Sequence, residues 1–191
     1  MSGPDWYEGV ADRILDAVAP DGDVLVVAHS GAGGFVPVLA DRLGERLAGV
    51  LLVDATTPYP GRCWFDSASP ALGTRVRNLA ASGVLPPWNR WWAPGAMARL
   101  LPDEAQREAF AAELPRVPLA YFEATAPGSM AWEAAPGGYL QLSEACADDA
   151  VVAERRGWIV RREALHHLAM LTDPDRVASM ITEMSLRMAR T

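Results

Sequence analysis

The chain has 191 residues, half of them apolar and 21% charged, with a formal net charge of −7, as expected of one globular domain. All 17 of its strongly basic residues are Arg, and the absence of Lys excludes Schiff-base chemistry and a P-loop lysine. An acidic chain without a basic run is also a poor match for nucleic acid or an anionic membrane, so neither is an expected partner.

Cys63 and Cys146 lie far apart and match no metal or redox spacing, so they read as two ordinary thiols, and neither a metal nor a cofactor is expected. Asp5, Glu8, Asp12 and Asp16 interrupt any N-terminal secretory segment, and no apolar run approaches a membrane span. The expectation is a cytoplasmic protein.

Residues 5–18 place Trp6, Val10, Ile14 and Val18 at helical spacing, and Pro20, Asp21 and Gly22 end the pattern. "VLVVA", 24–28, shows no alternation and reads as a strand covered on both faces. Residues 33–43 predict a helix with Val36, Leu39, Ala40 and Leu43 on one side. "LAGVLLVDA", 47–55, predicts a second buried strand, so the order helix–strand–helix–strand implies parallel strands joined by crossovers.

Residues 56–117 break the rhythm. They hold four of the seven Trp (Trp64, Trp88, Trp91 and Trp92) and suit short helices at 70–82, 95–101 and 103–113. The segment reads as a helical cap inserted between two strands, and such insertions often cover a site. Trp88, Trp91 and Trp92 are candidates for an apolar substrate pocket, with His29 beside them in that role; a small helical layer would need the same Trp for its own core. Beyond it, 117–124 predicts a third strand, 139–155 a helix and 157–162 a fourth strand. A loop with His166 and His167 follows, and then a final helix with Asp173 as N-cap and Pro174 at its first position. The Met180, Met184 and Met188 spacing on that helix suits core packing.

Ser30 stands between the first strand and the next helix, in the pattern Ala28-His29-Ser30-Gly31-Ala32. Small residues two positions to either side let strand and helix approach around a strained turn that lifts a serine hydroxyl clear of the backbone. Helix onset aims N–H groups at the same place, so the Gly31 N–H is a candidate oxyanion donor. A helix N-cap serine would fit the same few residues. A nucleophilic serine needs a base and an orienting acid. Of the three histidines, His29 is tied to the turn itself, and His166 and His167 fall in a loop on the strand ends' shared edge, where His167 is favoured. Two acids end strands on that edge, Asp54 and Glu123, and the sequence does not separate them.

At "VVAHSGAG" (26–33), "LLVDA" (51–55) and "HHLAMLTDPDRVA" (166–178) the chain resembles the α/β-hydrolase superfamily, in the order Ser…acid…His. More narrowly, it is similar to small bacterial hydrolases with an "HSGAG" elbow. The resemblance implies a single α/β domain over 1–191: a truncated α/β-hydrolase fold with a parallel sheet of about four strands flanked by helices, carrying the cap at 56–117. It implies Ser30 as nucleophile, His167 as base and Gly31 as oxyanion donor. Glu123 then occupies roughly the superfamily's usual acid position, and Asp54 the position used one strand earlier in some thioesterase-like members. The implied activity is ester or thioester hydrolysis on a small, largely apolar acyl compound through an acyl-serine. A non-hydrolytic isomerase, cyclase or lyase, or a non-catalytic binding protein, are the alternatives. Members usually have several strands before the elbow strand, whereas one helix precedes Val24 here. Strand 24–28 is therefore expected at a sheet edge, pairing with a second copy or a partner chain.

Overall fold

A computed structural model describes residues 5–190. The chain divides into two compact units, 1–62 with 125–191, and 63–124.

The first unit is built on a four-stranded sheet. Asp5 caps α1 (Trp6–Asp16) by accepting from the Glu8 N–H. Next come β1 (Val24–His29), a 3₁₀ turn (Ser30–Phe35), α2 (Val36–Leu43) and β2 (Leu47–Val53). The predicted helix at 33–43 therefore begins with a tight 3₁₀ turn, because Gly33 and Gly34 press against Thr56 and Tyr59 with no room for a Cβ.

The second unit contains α3 (Trp64–Ser67), α4 (Pro70–Leu79), β3 (Val84–Leu85), α5 (Ala96–Leu100), α6 (Glu104–Glu113), β4 (Val117–Pro118) and α7 (Leu119–Glu123). The expected strand at 117–124 is thus corrected. Only Val117 and Pro118 are extended, pairing antiparallel with β3, and the rest turns into a short helix. The reason is aromatic packing. α7 puts Phe122 into the core of this unit, edge-on to Trp64 at 5.0 Å and against Trp91 at 5.8 Å.

The chain returns to the first unit with β5 (Gly137–Gln141), α8 (Ala147–Arg155), β6 (Ile159–Arg162), α9 (Ala169–Thr172) and α10 (Pro174–Met188). The expected helix over 139–155 is corrected in its first part: residues 137–141 form the third parallel strand, and α8 starts only at Ala147. Gly137 faces the Trp158 ring, and Gly138 lies against Met188 and Leu51, so this strand needs glycines where strand formers would clash.

The sheet order is β1-β2-β5-β6, all parallel. β2 is central, with Val50 to Val53 buried on both faces, which explains its unbroken apolar run. Val50, Leu52 and Tyr139 pack with Val36 and Ala40 of α2 and with Ala150 and Ala153 of α8. Leu51, Val53 and Leu140 pack on the other face against Val177, Met180, Met184 and Met188 of α10, so that methionine stripe is core. β1 is an edge strand, and its Val27 side is 45% exposed. Among the described residues no helix is long and apolar enough to cross a membrane.

Candidate active site

Parallel strands carry their C-terminal ends to one edge of the sheet. Ser30 follows β1, Asp54 follows β2, Leu142 and Ser143 follow β5, and His167 lies in the loop after β6.

Ser30 adopts φ +56°. A left-handed conformation is unfavourable for a residue with a Cβ, and strain of about 1–3 kcal/mol persists only where neighbours over-determine it. Here the Thr56 N–H holds the Ser30 carbonyl at 3.1 Å, with the Thr56 hydroxyl at 3.4 Å. Gly31 presents open space where a Cβ would stand, so its side of the turn is free for approach.

The Ser30 hydroxyl lies 2.9 Å from His167 Nε2, and His167 Nδ1 lies 2.7 Å from Asp54 Oδ2. A carboxylate accepts, so Nδ1 carries the proton and Nε2 is the acceptor for the serine hydroxyl. Asp54 is fully buried and also has a positive φ, +45°. Its Oδ1 accepts from the N–H groups of Leu142 and Ser143, both at 2.8 Å, and its Oδ2 from the Ser143 hydroxyl at 2.6 Å. Burial alone would raise its pKa. The hydrogen bonds from His167 and Ser143, with the two backbone N–H groups, outweigh it and hold the carboxyl below its ordinary value.

Of the two candidate acids, Glu123 is not brought to the end of a sheet strand. It is an exposed residue at the end of α7, and Asp54 is the carboxylate on His167. His166 is occupied within its own loop: Nε2 donates to Thr172 Oγ1 at 2.9 Å and Nδ1 accepts from the Leu168 N–H at 3.3 Å. Trp88, Trp91 and Trp92 belong to the second unit. Trp91 is buried there with its Nε1–H on the Pro86 carbonyl at 2.8 Å, and Trp88 meets Trp92 edge-on at 5.4 Å. His29 contacts the histidine loop, with its ring centroid 4.5 Å from that of His167.

Ser143, Thr56, Thr57 and Asp149 were not legible as site residues. Asp149 accepts from the Thr57 N–H at 2.6 Å and the Thr57 hydroxyl at 2.9 Å, anchoring the loop that follows Asp54. Burial raises the Asp149 pKa despite those two bonds. The signal for Ser143 is its position just past the C-terminal end of β5, at the edge where the strands end. Cys146 lies beside this network, and burial followed by the nearby Asp54 and Asp149 pushes its thiol up to about 12. Asp54, Cys146 and His167 bring potential ligand atoms within 4.8 Å of one another, but the carboxylate and imidazole already share a proton across 2.7 Å, which a metal would have to displace.

A model of the alpha/beta hydrolase family matches residues 2–180. No curated protein matches the sequence. Among solved structures, an extracellular alpha/beta-hydrolase from a Paenibacillus species is similar, with TM-score 0.67 and 16% identity over 93% of this chain and 77% of that one. A methylesterase from Arabidopsis gives TM-score 0.62 and 15% identity, covering 95% and 77%. A pyrethroid hydrolase from Sphingobium faniae gives 0.59 and 16%, covering 94% and 76%. With its parallel sheet, its strained serine turn and the family match across nearly its whole length, the chain belongs to the alpha/beta hydrolase family.

Proposed function

We propose that the protein is a serine hydrolase of the esterase or thioesterase type, with Ser30 as nucleophile, His167 as general base and Asp54 as the orienting acid. The observation that carries this is the unbroken relay from Ser30 Oγ to His167 Nε2 (2.9 Å) and from His167 Nδ1 to Asp54 Oδ2 (2.7 Å).

In the first step Ser30 Oγ attacks the acyl carbon while His167 Nε2 takes its proton. The buried Asp54 carboxylate stabilises the imidazolium that forms. The carbonyl π electrons move onto oxygen, and the Gly31 N–H is assigned as one donor to that oxyanion. Collapse of the tetrahedral species breaks the bond to the alcohol or thiol, which receives the proton from His167, and leaves acyl-Ser30. Water, deprotonated by His167, attacks the acyl carbon in turn; the bond to Ser30 Oγ breaks, Oγ takes the proton from His167, and the acid is released. That the acyl group is small and apolar rests on the Trp-rich sequence segment.

The test is turnover of a panel of short-chain p-nitrophenyl esters and acyl thioesters by wild type and Ser30→Ala. Hydrolysis by wild type, abolished in the variant, supports the reading. Equal rates in both would contradict it and favour chemistry that does not use the serine.

A further inference from the structure

His167 is held at both ring nitrogens, at its ring face and at its backbone carbonyl. Asp54 and Ser30 occupy the nitrogens. His29 meets the ring face and the carbonyl. Its Nε2 lies 2.9 Å from the His167 carbonyl oxygen, and its ring is tilted 36° to the His167 ring at a centroid distance of 4.5 Å. A carbonyl oxygen only accepts, so His29 is the donor and its tautomer is fixed with the proton on Nε2. One residue at the end of β1 thus ties the histidine loop to the strand that carries the nucleophile, across 138 positions of sequence. Earlier in the same loop, the Glu163 N–H meets the Gln141 carbonyl at the end of β5 and the Leu165 N–H meets the Leu142 carbonyl just beyond it.

We propose that His29 is a positioning residue: its hydrogen bond to the His167 carbonyl holds the base in line with the Ser30 hydroxyl. This rests on the triad reading above. The distance from His167 Nε2 to Ser30 Oγ depends on the relative placement of a β1 turn and a β6 loop, which are separated by two intervening strands in the sheet order. A direct tether between them removes the slack that the sheet would otherwise leave. Misplacing a reacting group by about 1 Å can cost roughly 100-fold in rate. Burial, reinforced by the neighbouring His167, keeps His29 neutral down to a pKa of about 4, so the donor is available without adding a charge beside the base.

The test compares His29→Gln, which keeps an N–H donor but no ring, with His29→Phe, which keeps a ring but no donor. The readout is the rate of covalent labelling by a fluorophosphonate, separated into the maximal labelling rate and the half-saturating concentration, alongside thermal unfolding. The expected result is a maximal rate about 10- to 100-fold lower in His29→Phe, an unchanged half-saturating concentration, and a rate near wild type in His29→Gln. If the Phe variant does not fold, His29→Leu takes its place as the donor-free side chain. Wild-type labelling in the donor-free variant, or equal slowing in the Gln variant, would overturn the inference. Failure of the wild type itself to label would refute the hydrolase reading instead, so the two failures are distinguishable.

Discussion

Ser143 holds Asp54 at both carboxylate oxygens: its N–H meets Oδ1 at 2.8 Å and its hydroxyl meets Oδ2 at 2.6 Å, beside the His167 bond. A buried carboxylate in a left-handed backbone conformation is costly unless neighbours satisfy it, and Ser143 supplies two of its four bonds. Ser143→Ala should remove the hydroxyl donor without disturbing the backbone. Esterase kcat should fall roughly 10-fold with KM unchanged, a pattern steady-state kinetics would reveal.

The choice of acid gives a sharper contrast. Asp54→Asn preserves shape, but its amide favours the wrong His167 tautomer, and a loss of about 10⁴ in kcat/KM is expected. Glu123→Gln, at an exposed position, should leave the rate at the wild-type value. Both are read by hydrolysis of the same ester.

His29 should leave a mark on acid stability. Its folded pKa is about 4 against 6.5 for the free side chain. Above pH 6.5 both folded and unfolded forms are neutral. As pH falls from 6.5 to 4 the unfolded chain takes up the proton first, so stability declines, by about 3 kcal/mol at most, and levels off below pH 4. Denaturant melts across that window should show a shallower decline in His29→Gln than in wild type.

Asp149 runs the opposite way. Burial raises its pKa, so its contribution to stability is fully present below the unfolded value and is lost as pH rises through the folded value. Asp149→Asn keeps an oxygen for the Thr57 N–H and hydroxyl but carries no charge. Its melting temperature should exceed that of wild type at neutral pH and match it more closely at pH 4, as calorimetry would show.

We propose that the β1 edge pairs with a second copy of this chain, one of the two occupants, second copy or partner chain, expected of it. Identical edge strands related by a two-fold axis pair antiparallel, which makes this edge self-complementary. An apolar groove of about 360 Å³ runs beside it, lined by Leu15, Val24, Val26, Val27 and Phe35 among others. Val27→Lys should convert a dimer to a monomer in sedimentation equilibrium, and a monomeric wild type would contradict the pairing.

The alternation of helices with the apolar runs 24–28 and 50–53 made the fold class readable, although only the second run is buried on both faces; 24–28, expected to be covered on both, leaves Val27 45% exposed because β1 is an edge strand. At 117–124 and 139–141 local composition and structure part company for a physical reason. "VPLAYFEA" has strand composition, yet Phe122 is required by the Trp64 and Trp91 cluster, and a short helix delivers it. "GGYLQ" lacks strand formers at its start because Trp158 and Met188 occupy the space that side chains would need. The strand composition of 117–124 makes Glu123 resemble a strand-end acid, and the weak strand signal of 137–141 conceals Ser143. Ser30 and His167 were readable because their neighbours, small residues around one and a strand-to-helix loop around the other, are local in sequence. The acid was not, because its partners Leu142 and Ser143 lie 88 and 89 positions away.

Intact-mass analysis after incubation with a fluorophosphonate, followed by peptide mapping, asks whether Ser30 is the activated nucleophile. A single adduct on Ser30, absent in Ser30→Ala and lost in His167→Ala, is the predicted result. A folded wild-type protein that takes up no adduct, or an adduct mapped to another residue, would contradict the assignment of Ser30 as an activated nucleophile.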